Sequence, residues 1–191
     1  GYEQACNDKI DSLDFVAALS ANTVEAYKLY LDNHPKGLYT DQALQAQEKI
    51  DELTVKPEEE IQIEKLCETF FSSLATKNEE ILLSTVDNVM DNFLNKKNAT
   101  HSDIKALSEK LAESSSSNPK TFIVNNNFNI HKSYESSGDL SYNVTFSVNG
   151  INSDNQMVEK YAVNVIVGSN MKIKSLGMKR SASNGTNKGQ E

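Results

Sequence analysis

Residues 140–148 read LSYNVTFSV, and the alternation of apolar and polar side chains in this stretch decides the fold. Leu140, Tyr142, Val144, Phe146 and Val148 fall on one face, while Ser, Asn and Thr fill the positions between them. A period of two is the signature of a β-strand, because successive side chains of a strand point to opposite faces. We therefore predict a strand with one buried face and one polar face.

The same alternation recurs on both sides of this stretch. Three further runs follow this pattern, with Phe122, Val124, Phe128 and Ile130 on one face of the first. The second run contains Tyr161, Val163, Val165 and Val167, and Met171, Ile173 and Leu176 close the series. Segments rich in Gly, Asn, Ser and Asp, typical of turns, separate these runs at 136–139, 149–155 and 168–170. We predict a four-stranded antiparallel meander with one apolar face.

Three helices are predicted upstream of the sheet. Pro57 and the glutamates after it suit a first helical turn, and an apolar stripe runs from there to Leu74. A second stripe, residues 82–94, predicts another helix, and the capping-box spacing of Thr100 and Asp103 predicts the start of a third. Residues 58–180 are thus predicted to form an α+β domain, in which three helices pack on a curved four-stranded antiparallel sheet, and 181–191 a flexible tail.

The first third of the chain is helical in pattern. Apolar residues recur at helical spacing through residues 10–19, 24–31 and 43–50, and either Thr23 or Asn22 can cap the second of these helices. The sequence HPKG at 34–37 ends that helix, because the proline restricts the residue before it and the glycine tolerates a tight turn. We predict a three-helix segment over residues 1–55.

The charge distribution argues against nucleic acid as a partner. Residues 1–60 hold 13 acidic residues and 5 lysines, so they carry the whole formal net charge of −8. Nucleic acid is therefore an unsuitable partner, since no basic stripe could neutralise phosphates, and Arg180 is the single arginine.

Cys6 and Cys67 have no metal-ligand spacing, which leaves a buried apolar role for Cys67 or a disulfide between the two as alternatives. We expect no cofactor, no metal and no transmembrane segment.

The order of elements in residues 58–180, with EKLCETFFSSLA at 64–75 in the first helix, resembles the nuclear-transport-factor-like cone. Ketosteroid isomerases and polyketide cyclases share this cone. The chain looks most like small exported members from Bacteroidetes-type bacteria, many of them lipoproteins. The resemblance implies a periplasmic or outer-membrane-anchored location in a Gram-negative bacterium. A secretion signal, a lipid anchor and an upstream domain are the alternatives for what precedes residue 1. One departure is that no strand is evident between the second and third helices, where many family members have one.

The N-terminal segment resembles a single tetratricopeptide-like repeat unit. The break at residues 34–37 is followed by Tyr39, Ala43 and Ala46, as the pattern of that repeat requires. Solenoids of such repeats need about three copies, because one copy cannot bury its apolar face by stacking on others. The segment is therefore expected to dock on the following domain, on an upstream domain, or on another protein. The cone resemblance also implies a possible homodimer through the sheet.

Candidate site residues follow from the two faces of the predicted sheet. No catalytic motif is present, so we assign no catalytic residue. An enzyme of the cone type would need an acid or base inside the cone beside a phenol, and Tyr142, Tyr161 and Glu159 are the interior candidates. Tyr142 and Tyr161 could face each other across neighbouring strands. The alternative is that both rings fill the core and direct their hydroxyls to its rim.

Four polar residues on the opposite face are candidates for surface interactions. Asn125, Asn127, Asn129 and His131 alternate with the apolar residues of the predicted first strand. The amides suggest a ladder for binding, although asparagine is abundant throughout the chain. The other two histidines, at 34 and 101, are expected to be solvated surface residues.

These observations favour a non-enzymatic binding or protein-interaction module of the bacterial cell envelope. One alternative is a small-molecule isomerase, cyclase or hydrolase that uses the cone pocket. Another is that the chain is the C-terminal adaptor part of a larger signalling protein. An open cavity with an ionisable residue at its base would favour the enzyme, and a cone filled by Phe and Tyr would contradict it.

Overall fold

A computed structural model describes residues 2–113, 121–152 and 154–181 of the chain. The chain divides into two compact units, Gly1–Thr54 and Val55–Glu191. The serine-rich end of the helical region and nearly all of the predicted tail lie outside the described residues.

The N-terminal unit consists of α1 (Tyr2–Ala21), α2 (Val24–Asn33) and α3 (Thr40–Leu53), as the helical spacing predicts. Thr23 caps α2, since its hydroxyl accepts the Ala26 N–H at 3.1 Å. The small core of this unit contains Phe15, Ala18, Tyr27, Tyr30 and Ala43.

The C-terminal unit contains three helices and a seven-stranded sheet among its described residues. The helices are α4 (Pro57–Thr76), α5 (Glu79–Ser84) and α6 (His101–Glu113). The strands are β1 (Val89–Phe93), β2 (Lys96–Thr100), β3 (Thr121–Val124), β4 (Asn129–Tyr134), β5 (Leu140–Ile151), β6 (Met157–Gly168) and β7 (Ile173–Arg180). The order across the sheet is β2-β1-β7-β6-β5-β3, and β4 also pairs with β5. The α+β class is confirmed, with more strands than the four predicted.

The β1–β2 hairpin corrects the prediction of one helix through residues 82–94. Only Glu79–Ser84 is helical, and β1 runs parallel to β7 with Asn92 opposite Ser175. The Leu94 N–H donates to the Leu176 carbonyl at 2.7 Å, and Leu94 has a φ of 57°, which ends the strand in a turn. The strand that appeared to be missing between the second and third helices is therefore present.

The predicted first strand, 122–130, is divided into β3 and β4. Both strands pair with β5, with Val124 opposite Val148 and Asn129 opposite Thr145, so the connecting residues bulge from the sheet. Side chains replace part of the backbone ladder at this point, because Asn127 Oδ1 accepts the N–H of the β5 residue at 147 at 3.0 Å.

The helices cover the inner face of the sheet, which is the face that the alternation predicted. Val144, Val148, Val163 and Val165 on β5 and β6 are at most 2% exposed. Side chains of α4, including Ile63, Cys67, Phe70, Phe71 and Leu74, belong to the same buried cluster. Burial of this apolar surface is the main stabilising contribution to this unit.

Candidate functional site

Aromatic rings fill the interior between the helices and the sheet. Phe71 on α4 meets Phe122 and Phe146 edge-to-face, with ring centroids about 6 Å apart in both pairs. Phe128 packs on Phe146 at 4.7 Å, and Phe122 contacts the ring of Tyr161 at 6.0 Å. Edge-to-face contacts at these distances are favourable packing. The middle of the inner face is therefore occupied by side chains.

A carboxylate, an ammonium and a phenol meet at one end of this interior. Glu59 Oε1 accepts hydrogen bonds from Lys132 Nζ and from the Tyr142 hydroxyl, both at 2.8 Å. Lys132 and Tyr142 lie opposite each other on β4 and β5, and they are 6% and 3% exposed. Glu59 reaches them from the first turn of α4, where its Oε2 accepts the Lys56 N–H at 2.8 Å.

The charge state of this cluster is set by its burial and its hydrogen bonds. Burial alone would raise the pKa of Glu59, but hydrogen bonds from Lys132, the Lys56 amide and Tyr142 hold it below its ordinary value. Burial, together with the hydrogen bond to Glu59, raises the pKa of Tyr142 to about 12. At neutral pH the carboxylate is ionised and the phenol is protonated.

The other two interior candidates lie together at the opposite end of the sheet. The Tyr161 hydroxyl donates to Glu159, whose carboxylate also pairs with Arg180. In the β5–β6 register Tyr161 faces Val148, whereas Tyr142 faces Val167. The two phenols are thus separated by about six residues of strand, roughly 20 Å. The suggestion that they face each other is wrong, and one small substrate group cannot contact both.

Two of the four surface candidates are bonded within the sheet. Asn125 and Asn149 exchange side-chain hydrogen bonds of 3.1 and 3.3 Å, and Asn127 Oδ1 accepts from both the N–H and the hydroxyl of Ser147. These amides support the bulge between β3 and β4. Asn129 and His131 are exposed on β4, opposite Thr145 and the strand residue at 143.

A shallow trough of about 390 Å³ crosses the outer face of the sheet. The Asn164 amide at its wall donates to Asn143 Oδ1 at 2.9 Å. Two of its lining residues, Ala162 on β6 and Gly177 on β7, are small, so the backbone is accessible there. Lys179 on β7 also lines the trough. The residues that line the trough are Leu94, Asn95, Thr145, Phe146, Ala162, Val163, Asn164, Gly177, Met178 and Lys179.

The HPKG break of the N-terminal unit is held by a buried carboxylate. Asp11 is 5% exposed; it accepts the Tyr30 hydroxyl at 2.5 Å and the Leu38 N–H at 2.6 Å. Burial would raise the pKa of Asp11, but these two hydrogen bonds and the nearby His34 hold it below its ordinary value. His34 Nε2 contacts Asp14 Oδ2 at 2.8 Å. The expectation that His34 is a solvated surface residue is therefore wrong.

Two further expectations concern His101 and the cysteines. The Nε2 atom of His101 is buried and has no hydrogen-bond partner among the described residues, so His101 is not simply solvated either. Cys6 is exposed and Cys67 is buried, and both thiols are free. Burial raises the pKa of Cys67 to about 12, as its place in the apolar core implies.

Metal sites and membrane spans are absent from the described parts of the chain. No group of three or more His, Cys, Asp or Glu residues there is arranged to hold a metal ion. None of the described helices has the length and apolar composition of a transmembrane span.

Sequence reasoning missed Lys132 and Glu59. Ile130, Lys132 and Tyr134 continue the period of two that begins at Phe128, so a lysine on an apolar face was a visible signal of a buried ion pair. The sequence pattern accounted for Glu59 only as one of the carboxylates that interact favourably with the positive end of the helix dipole at the start of α4.

Comparison with known proteins supports the fold. Neither a protein-family model nor a curated protein sequence matches the chain. Among solved structures, a protein of unknown function with a cystatin-like fold from Nostoc punctiforme has a TM-score of 0.51 at 15% identity, covering 69% of this chain and 97% of its own. A protein from Kribbella flavida proposed to be a ketosteroid isomerase has a TM-score of 0.42 at 15% identity, covering 68% and 85%.

An NTF2-like protein from Burkholderia xenovorans has a TM-score of 0.37 at 12% identity, covering 63% of this chain and 89% of its own. Of these three structures, the Nostoc punctiforme protein with the cystatin-like fold has a TM-score above 0.5. At these identities the Nostoc structure indicates the fold and nothing about activity.

Proposed function

We propose that the protein is a non-enzymatic binding and interaction module of the bacterial cell envelope. The observation that carries this proposal is the filled interior of the C-terminal unit. Phe71 on α4 contacts Phe122 and Phe146 of the sheet, so side chains occupy the space between that helix and the sheet. The surfaces left for partners are the outer sheet face and the N-terminal helices.

The outer face suits a polar partner. Thr145, Asn164 and Lys179 line the trough beside exposed Asn129 and His131, and Asn125 and Asn127 stiffen the strand next to them. Hydroxyl, amide and ammonium groups supply donors and acceptors, while small residues on the floor let a partner approach the backbone. Another protein is the class of partner that these groups and the acidic N-terminal segment favour. A homodimer through this face is the alternative that the cone resemblance implies.

The experiment places a photo-crosslinking amino acid at Asn164 in the full-length protein, expressed in the organism that carries the gene. We expect a discrete cross-linked species in the envelope fraction, and no such species from a matched probe at Lys77, an exposed residue outside the sheet. Identical cross-linking from both positions would contradict the proposed surface, and recovery from the cytoplasmic fraction alone would contradict the envelope location.

A second candidate function rests on the cluster of Glu59, Lys132 and Tyr142. A carboxylate, an ammonium and a phenol within hydrogen-bond distance are the groups that acid–base catalysis of isomerisation or cyclisation requires. The burial of Lys132 and Tyr142 argues against this reading, because a substrate would have to displace both partners of Glu59. An activity abolished by Tyr142→Phe in a variant of unchanged stability would favour the enzyme over the binding module.

A further inference from the structure

Helix α1 carries apolar side chains on two opposite faces. Phe15 and Ala18, 6% and 4% exposed, face the core of their own unit, as does the buried carboxyl of Asp11. On the other side Ile10 and Leu13 are 53% and 60% exposed. An amphipathic helix that needs only one partner has a single apolar face, so the second face indicates a second partner.

The exposed face follows a heptad pattern. Cys6, Ile10, Leu13, Ala17 and Ser20 are spaced alternately by four and three residues, which places them at the d, a, d, a and d positions of a coiled coil. All five are exposed on α1. The buried residues of α1 fall at b and f positions, so a helix that paired along the seam would leave the packing of the unit unchanged.

The charges beside this seam indicate which helix pairs with α1 and whether the two helices run parallel or antiparallel. Lys9 takes a g position and Asp14 the e position five residues later, and g pairs with e of the other chain in a parallel coiled coil. Val16 and Ala21 take the next g and e positions and are uncharged, so they bring no like charges together between two copies. An antiparallel arrangement would not bring Lys9 to Asp14.

We propose that α1 is the surface through which two copies of this chain pair, as a short parallel two-stranded coiled coil. This inference rests on the part of the proposed function that assigns a partner to the N-terminal helices, and it names that partner. Asp14 remains available for Lys9 of the second copy, because its side chain is 46% exposed although His34 also contacts it. Ala17 at an a position allows the two helices to approach closely.

The pairing is expected to be weak. The seam from Cys6 to Ser20 is about 21 Å long, since an α-helix rises about 1.5 Å per residue. An interface of this length is far below the size of obligate dimers, so association should depend strongly on protein concentration.

Sedimentation equilibrium of the full chain tests the surface. We expect the wild type to pass from monomer to dimer between about 5 and 500 μM, the range of a small interface. Leu13→Glu should weaken association at least about tenfold, because it places a charge at a d position. Leu44→Glu, on the exposed side of α3, is the matched control and should behave as the wild type. A wild type that stays monomeric, or a dimer indifferent to Leu13→Glu, would overturn the inference.

Oxidation with diamide tests the parallel register. Parallel pairing brings the two Cys6 side chains into one layer of the seam. Diamide oxidises these two thiols to one disulfide and takes up the two protons and two electrons that they release. We expect a covalent dimer from the wild type and none from Cys6→Ser, because Cys67 is buried. Association that is sensitive to Leu13→Glu but gives no Cys6 cross-link would overturn the parallel register.

Failure of this inference is distinguishable from failure of the proposed function. A monomeric wild type overturns the pairing of α1 alone, since cross-linking at Asn164 and the fractionation do not involve that helix. A dimer that persists in Leu13→Glu would indicate the sheet or another surface.

Discussion

The substitution Gly37→Ala tests the buried carboxylate cluster that holds the HPKG break. A Cβ at this position would lie 2.7 Å from both Asp11 Oδ1 and the Tyr30 hydroxyl oxygen, and 2.9 Å from His34 Cβ. The two oxygens are themselves hydrogen-bonded at 2.5 Å, and Asp11 also accepts from the Leu38 amide. Neither oxygen can retreat by several tenths of an ångström without breaking one of these bonds.

The cost follows from the hydrogen bond that is lost. A hydrogen bond to a charged group contributes about 1.5–3 kcal/mol. Replacing glycine by alanine offsets about 0.4–1 kcal/mol of this loss, because the unfolded chain becomes less flexible. We therefore expect Gly37→Ala to lower the free energy of unfolding of the N-terminal unit by about 1.5 kcal/mol.

Hydrogen exchange measured by mass spectrometry in the full chain reports this unit separately. Amides in α2 and α3 should exchange roughly tenfold faster in Gly37→Ala, since about 1.4 kcal/mol corresponds to a factor of ten. Gly177→Ala is the control, because its Cβ would meet only the Asn164 carbonyl oxygen at 3.9 Å. In a Tyr30→Phe background the effect of Gly37→Ala should shrink, since one of the clashing oxygens is gone. Exchange in Gly37→Ala that matches the wild type would refute the reasoning.

Three further predictions concern the C-terminal unit and the tyrosines. Lys132→Met should lower the free energy of unfolding by about 2 kcal/mol in urea titration, because Glu59 keeps a partly buried charge without its cation; unchanged stability would contradict the buried pair. Tyr30 and Tyr142 have their pKa raised to about 12, so their contribution to stability is complete below pH 10 and is lost as the pH rises towards 12. Absorbance at the phenolate band should show two tyrosines that titrate late or only on unfolding, and seven tyrosines titrating together near pH 10 would contradict this. Asn127→Ala should speed exchange of the β5 amide to which its side chain bonds by about fivefold, a loss near 1 kcal/mol, whereas exchange elsewhere in β5 should be unaffected.

The parts of the fold that were predictable from sequence depend on local patterns. The alternation through residues 140–148 shows which face of β5 is buried, because a strand with one buried face repeats every two residues. Thr23 at the start of α2 and the capping box at the start of α6 were likewise visible, since a cap lies within three residues of its partner.

The parts that were missed depend on distant partners. The spacing of apolar residues through 82–94 fits a helix as well as a strand, and pairing with β7 decides for β1, where Asn92 bonds to a carbonyl 84 residues away. Lys132 and Glu59 are 73 residues apart, so their ion pair becomes evident only when the helix and sheet are assembled. Gly37 was predicted as a turn residue, but the close approach of Asp11 and Tyr30 oxygens that requires it appears only in the packed unit.

We propose that side chains fill the interior between the helices and the sheet, and that the protein acts through its surfaces. Aromatic ¹H–¹³C spectra of the full chain, recorded during titration with a planar, mainly apolar ligand such as a steroid, test it most directly. We predict that the ring signals of Phe71, Phe122 and Phe146 stay in place at the highest ligand concentration. Saturable shifts of the three interior rings, together with those of Tyr142, would show an accessible pocket and contradict the account.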